Sequence, residues 1–385
     1  MIRRFDFTYT FRDFIGEIKY NNKRQKLDLA SPEDYFGGHS LIFVGKARVG
    51  ICMVLQALDL KPGSNIGVQP FTCSSVLSAI KKAGFNIQFI DIDPDFRLSH
   101  KDLLLKSQKI DALIVTHTFG FPEDTEALKL ILGNKPVIED CAQAFLSEFK
   151  GRPVGLGGDA GVFSTGYGKL FGIGSGGFIV CRNSTIHTKL MKLEEKLQYP
   201  SNMFVFKDRL KSLVLGVLYK STVYSTLTYP IKNRFRINNA GIQEYPKSEQ
   251  QLSISRIELF TKRFGDNLQM IHNQKGNGRL LLSLIKPQFN SIHQLDDSSP
   301  NFFLVPLQVK NRDLIIAHLL RKGIEAGKHF SNAVHWVKAH GYIEGECPVF
   351  ERVAGEIITL PCHHYLSAKK IRYIAQSLNT YHEAN

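Results

Sequence analysis

Residues 136–144, Pro136-Val137-Ile138-Glu139-Asp140-Cys141-Ala142-Gln143-Ala144, decide the fold. An apolar strand ends there in a carboxylate, Asp140, with Gln143 close behind, and open parallel sheets place their ligand sites at such carboxyl-terminal strand edges. Taken alone, Asp140 fits equally a cap of the following turn. More comes from Gly157-Gly158-Asp159-Ala160-Gly161-Val162-Phe163-Ser164-Thr165-Gly166-Tyr167-Gly168-Lys169, which runs on to Gly177. A strand ending in Ser164 leads into a glycine-dense loop that presents one lysine, and the glycines leave room for a bulky ligand near the backbone. The loop lacks the spacing of a nucleotide P-loop, which disfavours ATP.

Outward from this core, short apolar runs alternate with helical periodicity. Val49, Ile51, Cys52, Val54, Leu55 and Leu58 recur at three and four residues and stop at Lys61-Pro62-Gly63, predicting a helix over 47–58. Strands are expected at 66–69, 87–90, 112–116, 137–139, 162–164 and 177–181, with helices at 74–83 and 124–132. This alternation predicts βαβ units and a largely parallel sheet. Beyond Lys247, a helix through 251–267 and further, an extended 302–309, a helix over 312–322 and a last helix from Ser367 predict a smaller α+β domain. The division expected is an N-terminal arm (1–35), a large α/β domain with a basic connector (36–245) and a small domain (246–385).

The 385 residues carry a net charge of +14, with 43% hydrophobic and 22% charged residues. Such a composition excludes a disordered, collagenous or coiled-coil chain. The basic excess favours anionic partners. Without a compact Lys/Arg block or a recognised module, nucleic acid is disfavoured. The six cysteines show no metal or redox spacing, so no metal site is expected and reduced thiols in the cytoplasm are the simplest reading. The N-terminus offers no convincing targeting signal, and no run approaches the length of a membrane span. His117 and His329 are candidates for lining a substrate cleft, although a lone histidine is more often structural. The adjacent His363 and His364 point apart in an extended segment and are not read as ligands.

An aspartate and a lysine on neighbouring strand ends, with a serine five residues before the lysine, suit pyridoxal phosphate. At this point the chain resembles the DegT/StrS family of sugar aminotransferases, pyridoxal-phosphate enzymes of fold type I. Glu139-Asp140-Cys141-Ala142-Gln143-Ala144, then Gly155 to Asp159, Phe163-Ser164-Thr165, Lys169 and Gly176-Gly177 follow the family's signature. Matches extend to Leu58–Gly63, Val68–Pro70 with Thr72, Asp91–Asp93, His117–Gly120, Gly323-Ile324, His329-Phe330 and Leu360-Pro361.

The resemblance implies a large domain with a mostly parallel central sheet flanked by helices, plus a smaller α+β C-terminal domain. It implies Lys169 as the Schiff-base lysine, Asp140 as partner of the pyridine nitrogen, Gln143 beside the ring, and Ser164, Arg48 and Val49 at the phosphate. It also implies a homodimer that transfers an amino group from glutamate or glutamine to a keto group of a nucleotide-linked sugar, as surface polysaccharide or amino-sugar synthesis requires. Two positions depart from the family: Cys73 stands where an aromatic residue covers the ring, and the partner subunit's phosphate-binding asparagine has only Asn238 and Asn239 as counterparts. Dehydratases of the family carry histidine in place of the lysine, which disfavours that chemistry here. A non-catalytic regulator on the same fold is the alternative from another class.

Residues 203–236 set Phe204, Phe206, Leu210, Leu213, Val214 and Val217 at roughly helical spacing beside Lys207, Arg209, Lys211 and Lys220. The leading expectation is a helix whose apolar side packs on the large domain while its basic face is solvated. A helix lying on an anionic membrane is the second reading.

Overall fold

The computed structural model describes residues 1–7, 9–19, 31–170, 172–234 and 243–381. Seven strands form the central sheet: β1 (Leu41–Val44), β2 (Asn65–Val68), β3 (Asn86–Phe89), β4 (Ala112–Thr116), β5 (Val137–Asp140), β6 (Ala160–Ser164) and β7 (Gly177–Cys181). Their order is β1-β7-β6-β5-β4-β2-β3. The pairs β2–β3, β2–β4, β4–β5 and β5–β6 are parallel, and β7 alone runs against its neighbours. Every residue of β4 and β5 is buried, which is why Ala112–Val115 and Val137-Ile138 are apolar without alternation, while Glu139 and Asp140 end β5 as buried carboxylates. Register pairs Thr116 with Asp140 and Asp140 with Val162, so the polar residues that end β4 and β5 lie side by side.

Helix α1 (Phe11–Lys19) precedes the sheet, α2 (Ala47–Ala57) follows β1, and α3 (Ser74–Lys82) follows β2. Strand β1 escaped the sequence reading because four residues carry too little periodicity; only its antiparallel pairing with β7 defines it. Two further helices matter for the site: α4 (Asn202–Leu218) and α5 (Ile254–Leu284), the latter one continuous element of 31 residues. In the last third of the chain, Asn290–Ser291, Val305–Gln308 and Ile357–Leu360 form a second, antiparallel sheet. The extended segment expected over 302–309 is thus a strand only at its centre, and the final helix, Ala368–Asn379, packs on α5.

Helix α4 overturns the expectation for its faces. Phe204, Phe206, Leu210, Val214 and Val217 are exposed and Leu213 is partly buried, whereas Ser212 and Gly216 are the residues fully inside. The reason lies in what the inner side meets. At Gly216 a Cβ would come 2.0 Å from the Tyr9 carbonyl oxygen, so the N-terminal segment crosses too closely for a larger residue. One turn away stands Arg256 of α5, its guanidinium bonded to Asp208 (2.8 Å), Ser212 (2.7 Å) and Glu17 of α1 (2.9 Å). A charge buried that deeply must be paired, and the polar face of α4 turns inward to pair it. Among the described residues no helix is long and apolar enough to cross a membrane.

Candidate active site

The carboxyl end of β5 carries two buried carboxylates with different surroundings. Glu139 accepts backbone N–H groups of Gly155 (2.7 Å) and Gly158 and is 2.7 Å from His117 Nε2. His117 Nδ1 accepts the Glu123 amide at 3.0 Å, so the ring proton sits on Nε2 and is donated to Glu139. Burial raises the Glu139 carboxyl, but His117 and the two glycine amides outweigh it and hold the group below its ordinary range. Cys141 lies within 4.8 Å of the pair, yet the donor atoms of His117 and Glu139 are committed to protein partners. His117 therefore ties β4, β5 and the glycine loop together instead of lining a cleft.

Asp140, one residue on, points to the opposite side. Its Oδ1 accepts the Ala142 amide at 3.0 Å, and among the described residues Oδ2 has only the Thr116 hydroxyl at 3.5 Å. Burial pushes this carboxyl up, while the Ala142 amide and the positive charge of Lys169 pull it down. The lysine thus lies within electrostatic reach of the aspartate. Lys169 follows β6 on the turn 166–169 and is half-buried, its Nζ 5.8 Å from the centre of the Phe303 ring. Around it a small cleft is lined by Arg4, Phe5, Gln274, Phe303 and His363.

Gln143 closes another side. Its Oε1 accepts the Phe119 amide at 2.7 Å, leaving Nε2 to donate to His329 Nε2 at 3.2 Å. His329 is half-buried among Phe5, Phe119, Phe303 and Phe330, and desolvation there, then Arg4 and Lys169, hold it well below its ordinary pKa. It is a neutral acceptor at this position. Asn301 binds the carbonyls of Gln143 (2.9 Å) and Phe145 (2.8 Å) and so fixes the turn after β5. The neighbouring Gly120, at φ +87°, has no room for a side chain, since a Cβ would lie 1.8 Å from Asn301 Oδ1.

Across the site the first turns of α2 and α3 converge. Arg48 donates to the Glu244 carbonyl at 2.6 Å and to Gln243 Oε1, and the Gln243 amide donates to Ser74 Oγ at 2.9 Å. Cys73 is the residue capping α3, with its sulfur accepting from Ser75 at 3.1 Å. Val49 is buried, and its amide bonds the Lys46 carbonyl at 2.9 Å. The amides available to an anion at this helix start are those of the preceding residues, which lack intrahelical acceptors. Ser164 ends β6 partly exposed. Burial and the cations Arg48 and Lys211 depress Lys46, so three positive groups crowd this corner.

Sequence reasoning missed Lys46, Lys211, Asn301 and the clamp behind the lysine loop. In that clamp Asp208 accepts from Tyr167 (3.1 Å) and Ser175 (2.9 Å), and Arg256 donates to the Ile173 carbonyl. Lys46 had a weak signal in its closeness to Arg48, whereas the others had none. Asn238 and Asn239 lie outside the described residues.

A buried aspartate, a lysine in its field, and an anion corner at two helix starts fit pyridoxal phosphate by the chemistry of the donors. The profile of the DegT/DnrJ/EryC1/StrS aminotransferase family matches residues 29–220 and 272–379. The chain is 31% identical over 336 residues to a UDP-N-acetyl-3-dehydro-alpha-D-glucosamine 3-aminotransferase of Acidithiobacillus ferrooxidans, covering 84% of this chain and 79% of that protein. It is 24% identical over 355 residues to a dTDP-3-amino-3,6-dideoxy-alpha-D-galactopyranose transaminase of Aneurinibacillus thermoaerophilus, with 90% and 87% covered. In fold it is similar to the sugar aminotransferase CalS13 of Micromonospora echinospora, with a TM-score of 0.74 at 20% identity over 99% of this chain and all of that one.

Proposed function

The chain belongs to the DegT/DnrJ/EryC1/StrS aminotransferase family of pyridoxal-phosphate enzymes, and from that premise we propose that it moves an amino group from glutamate or glutamine to a keto carbon of a nucleotide-linked sugar. The single observation that carries this reading is the buried Asp140 at the carboxyl end of β5 with Lys169 on the turn that follows the neighbouring β6. Relatives named as transaminases of UDP- and dTDP-linked sugars support the substrate class, and the cationic corner suits diphosphate-bearing ligands.

Pyridoxal phosphate, when bound, supplies an electrophilic carbon and a ring that takes up electrons. Lys169 would hold the group through its Nζ, and the same amine would be the base that takes up and returns a proton during the transfer. Asp140 would keep a proton on the pyridine nitrogen, and its Oδ2, held only by the long Thr116 contact among the described residues, is the oxygen suited to that role. Gln143, fixed by Phe119 and His329, orients the ring side. Ser164, Arg48 and the amides at the start of α2, just before Val49, would hold the phosphate with Lys46 and Lys211 nearby, and the Cys73 thiol would offer the ring a contact but no stacking face.

We assign the chain to a cytoplasmic homodimer whose partner completes the site through the connector 220–248. The division into 1–35, 36–245 and 246–385 belongs to the same proposal. The test is to titrate the protein with pyridoxal phosphate and then add L-glutamate or L-glutamine: the bound cofactor's absorbance band must appear and then shift. A band that no amino donor moves would overturn the transamination.

A further inference from the structure

On the outer side of α4, Met203, Phe206, Leu210, Val214 and Val217 follow one another at three- and four-residue spacing and are each 44–62% exposed. Exposed apolar residues scattered singly need no explanation, but a continuous stripe along a helix marks a surface that meets something. The stripe is not a packing accident of a loosely held helix. Asp208, Arg209 and Ser212 fasten the opposite face to Glu17, Ser255 and Arg256, so the helix is oriented with its apolar side outward.

Its charges are of one sign. Between Asn202 and Arg234 the sole acidic residue is Asp208, and it is turned inward onto Arg256. Lys207 and Lys211 flank the stripe, and both are exposed.

We propose that the outer face of α4 docks on an anionic lipid bilayer, with the apolar stripe at the boundary between headgroups and acyl chains and the lysines among the headgroups. A second copy of the chain is the less complementary occupant. A two-fold contact would lay stripe on stripe and bring Lys207 and Lys211 of both copies together, whereas an anionic surface answers both features of the face.

The experiment is flotation of the full-length protein with vesicles of phosphatidylcholine and phosphatidylglycerol, against vesicles of phosphatidylcholine alone, together with sedimentation of the protein by itself. The protein is expected to float with the anionic vesicles at low salt and to be released as salt rises. The triple variant F206S/L210S/V214S is expected to lose flotation while keeping its melting temperature and its aminotransfer. K207S should weaken partitioning by about five-fold. The proposal is overturned by a protein that ignores anionic vesicles at low salt, by triple or lysine variants that float as well as the parent, or by a triple variant that dissociates an oligomer while the parent binds no vesicle. The last result would give the face to a second copy.

Discussion

At the carboxyl end of β5 the buried carboxylates are answered largely by backbone: Glu139 by the amides of Gly155 and Gly158, Asp140 by that of Ala142. On the inner face of α4 they are answered by other side chains, Asp208 and Glu17 both meeting Arg256. Backbone donors are placed by the strand and its turn, so they survive most substitutions nearby. Side-chain donors come from remote segments, 239 residues apart for Glu17 and Arg256, and vanish with a single change. One region is therefore robust in stability and demanding in chemistry, and the other is the reverse.

The contrast breaks most sharply at Lys169. Lys169→Ala is expected to abolish aminotransfer and the cofactor's absorbance band while the thermal melt stays near that of the parent, because the side chain is half-buried and takes no part in the clamp. Aminotransfer that persists in the variant would remove Lys169 from the chemistry.

Arg256→Met tests the other region. It leaves Glu17 and Asp208 buried without their cation, and stability should fall by about 3–5 kcal/mol, read by urea denaturation. Adding Glu17→Gln to it should recover part of the loss, since one orphaned charge is then removed. A single variant as stable as the parent would show that the clamp carries no net stabilisation.

A third test lies behind β4. Burial pushes the Glu123 carboxyl up from 4.5 to about 7. The folded protein thus keeps a proton that the unfolded chain gives up, and the residue costs progressively more stability as pH climbs from about 4.5 to about 7. The full cost is on the order of 3 kcal/mol. Glu123→Gln keeps the carbonyl that accepts the Leu98 amide and cannot ionise. Its advantage in melting temperature should be absent near pH 4.5, grow through pH 7 and then level off; an advantage independent of pH would refute the assignment.

Asp140→Asn retains an oxygen for the Ala142 amide, so the fold should hold. Turnover should drop by one to two orders of magnitude, the equivalent of losing a charge-assisted hydrogen bond of about 1.5–3 kcal/mol. Equal turnover would mean that another group faces the pyridine nitrogen. The smallest effect is expected on the outer side of α4, where Leu210→Ser should change stability by no more than about 0.5 kcal/mol. Ser212→Leu, on the inner side of the same helix, should cost several times that by crowding Arg256 and Gly174.

The floor of the candidate site could be read from the sequence because its residues are close together in the chain. Asp140, Gln143, Ser164 and Lys169 fall within 30 residues of one another, and the alternation of strands and helices sets them at one edge of the sheet. His117 stood open in the sequence between a structural and a ligand-facing role; its bonds to Glu139 and to the Glu123 amide favour the structural one, because the direction of the ring is set by packing and not by spacing. Lys211 belongs to a helix whose orientation no local pattern fixes.

The amino-acid sequence by itself determined the parallel sheet, the order of its elements, the glycine loop with its lysine and the existence of two chemically distinct faces on α4, because each depends on residues near one another in the chain. Only the tertiary structure decided which face of α4 turns inward. Periodicity records that two faces differ, but their direction depends on what they meet, and here Arg256, Glu17 and the lysine loop present a polar wall. A buried charge costs more to leave unpaired than a row of leucines and valines costs to leave in water, so the polar face went in and the apolar one stayed out.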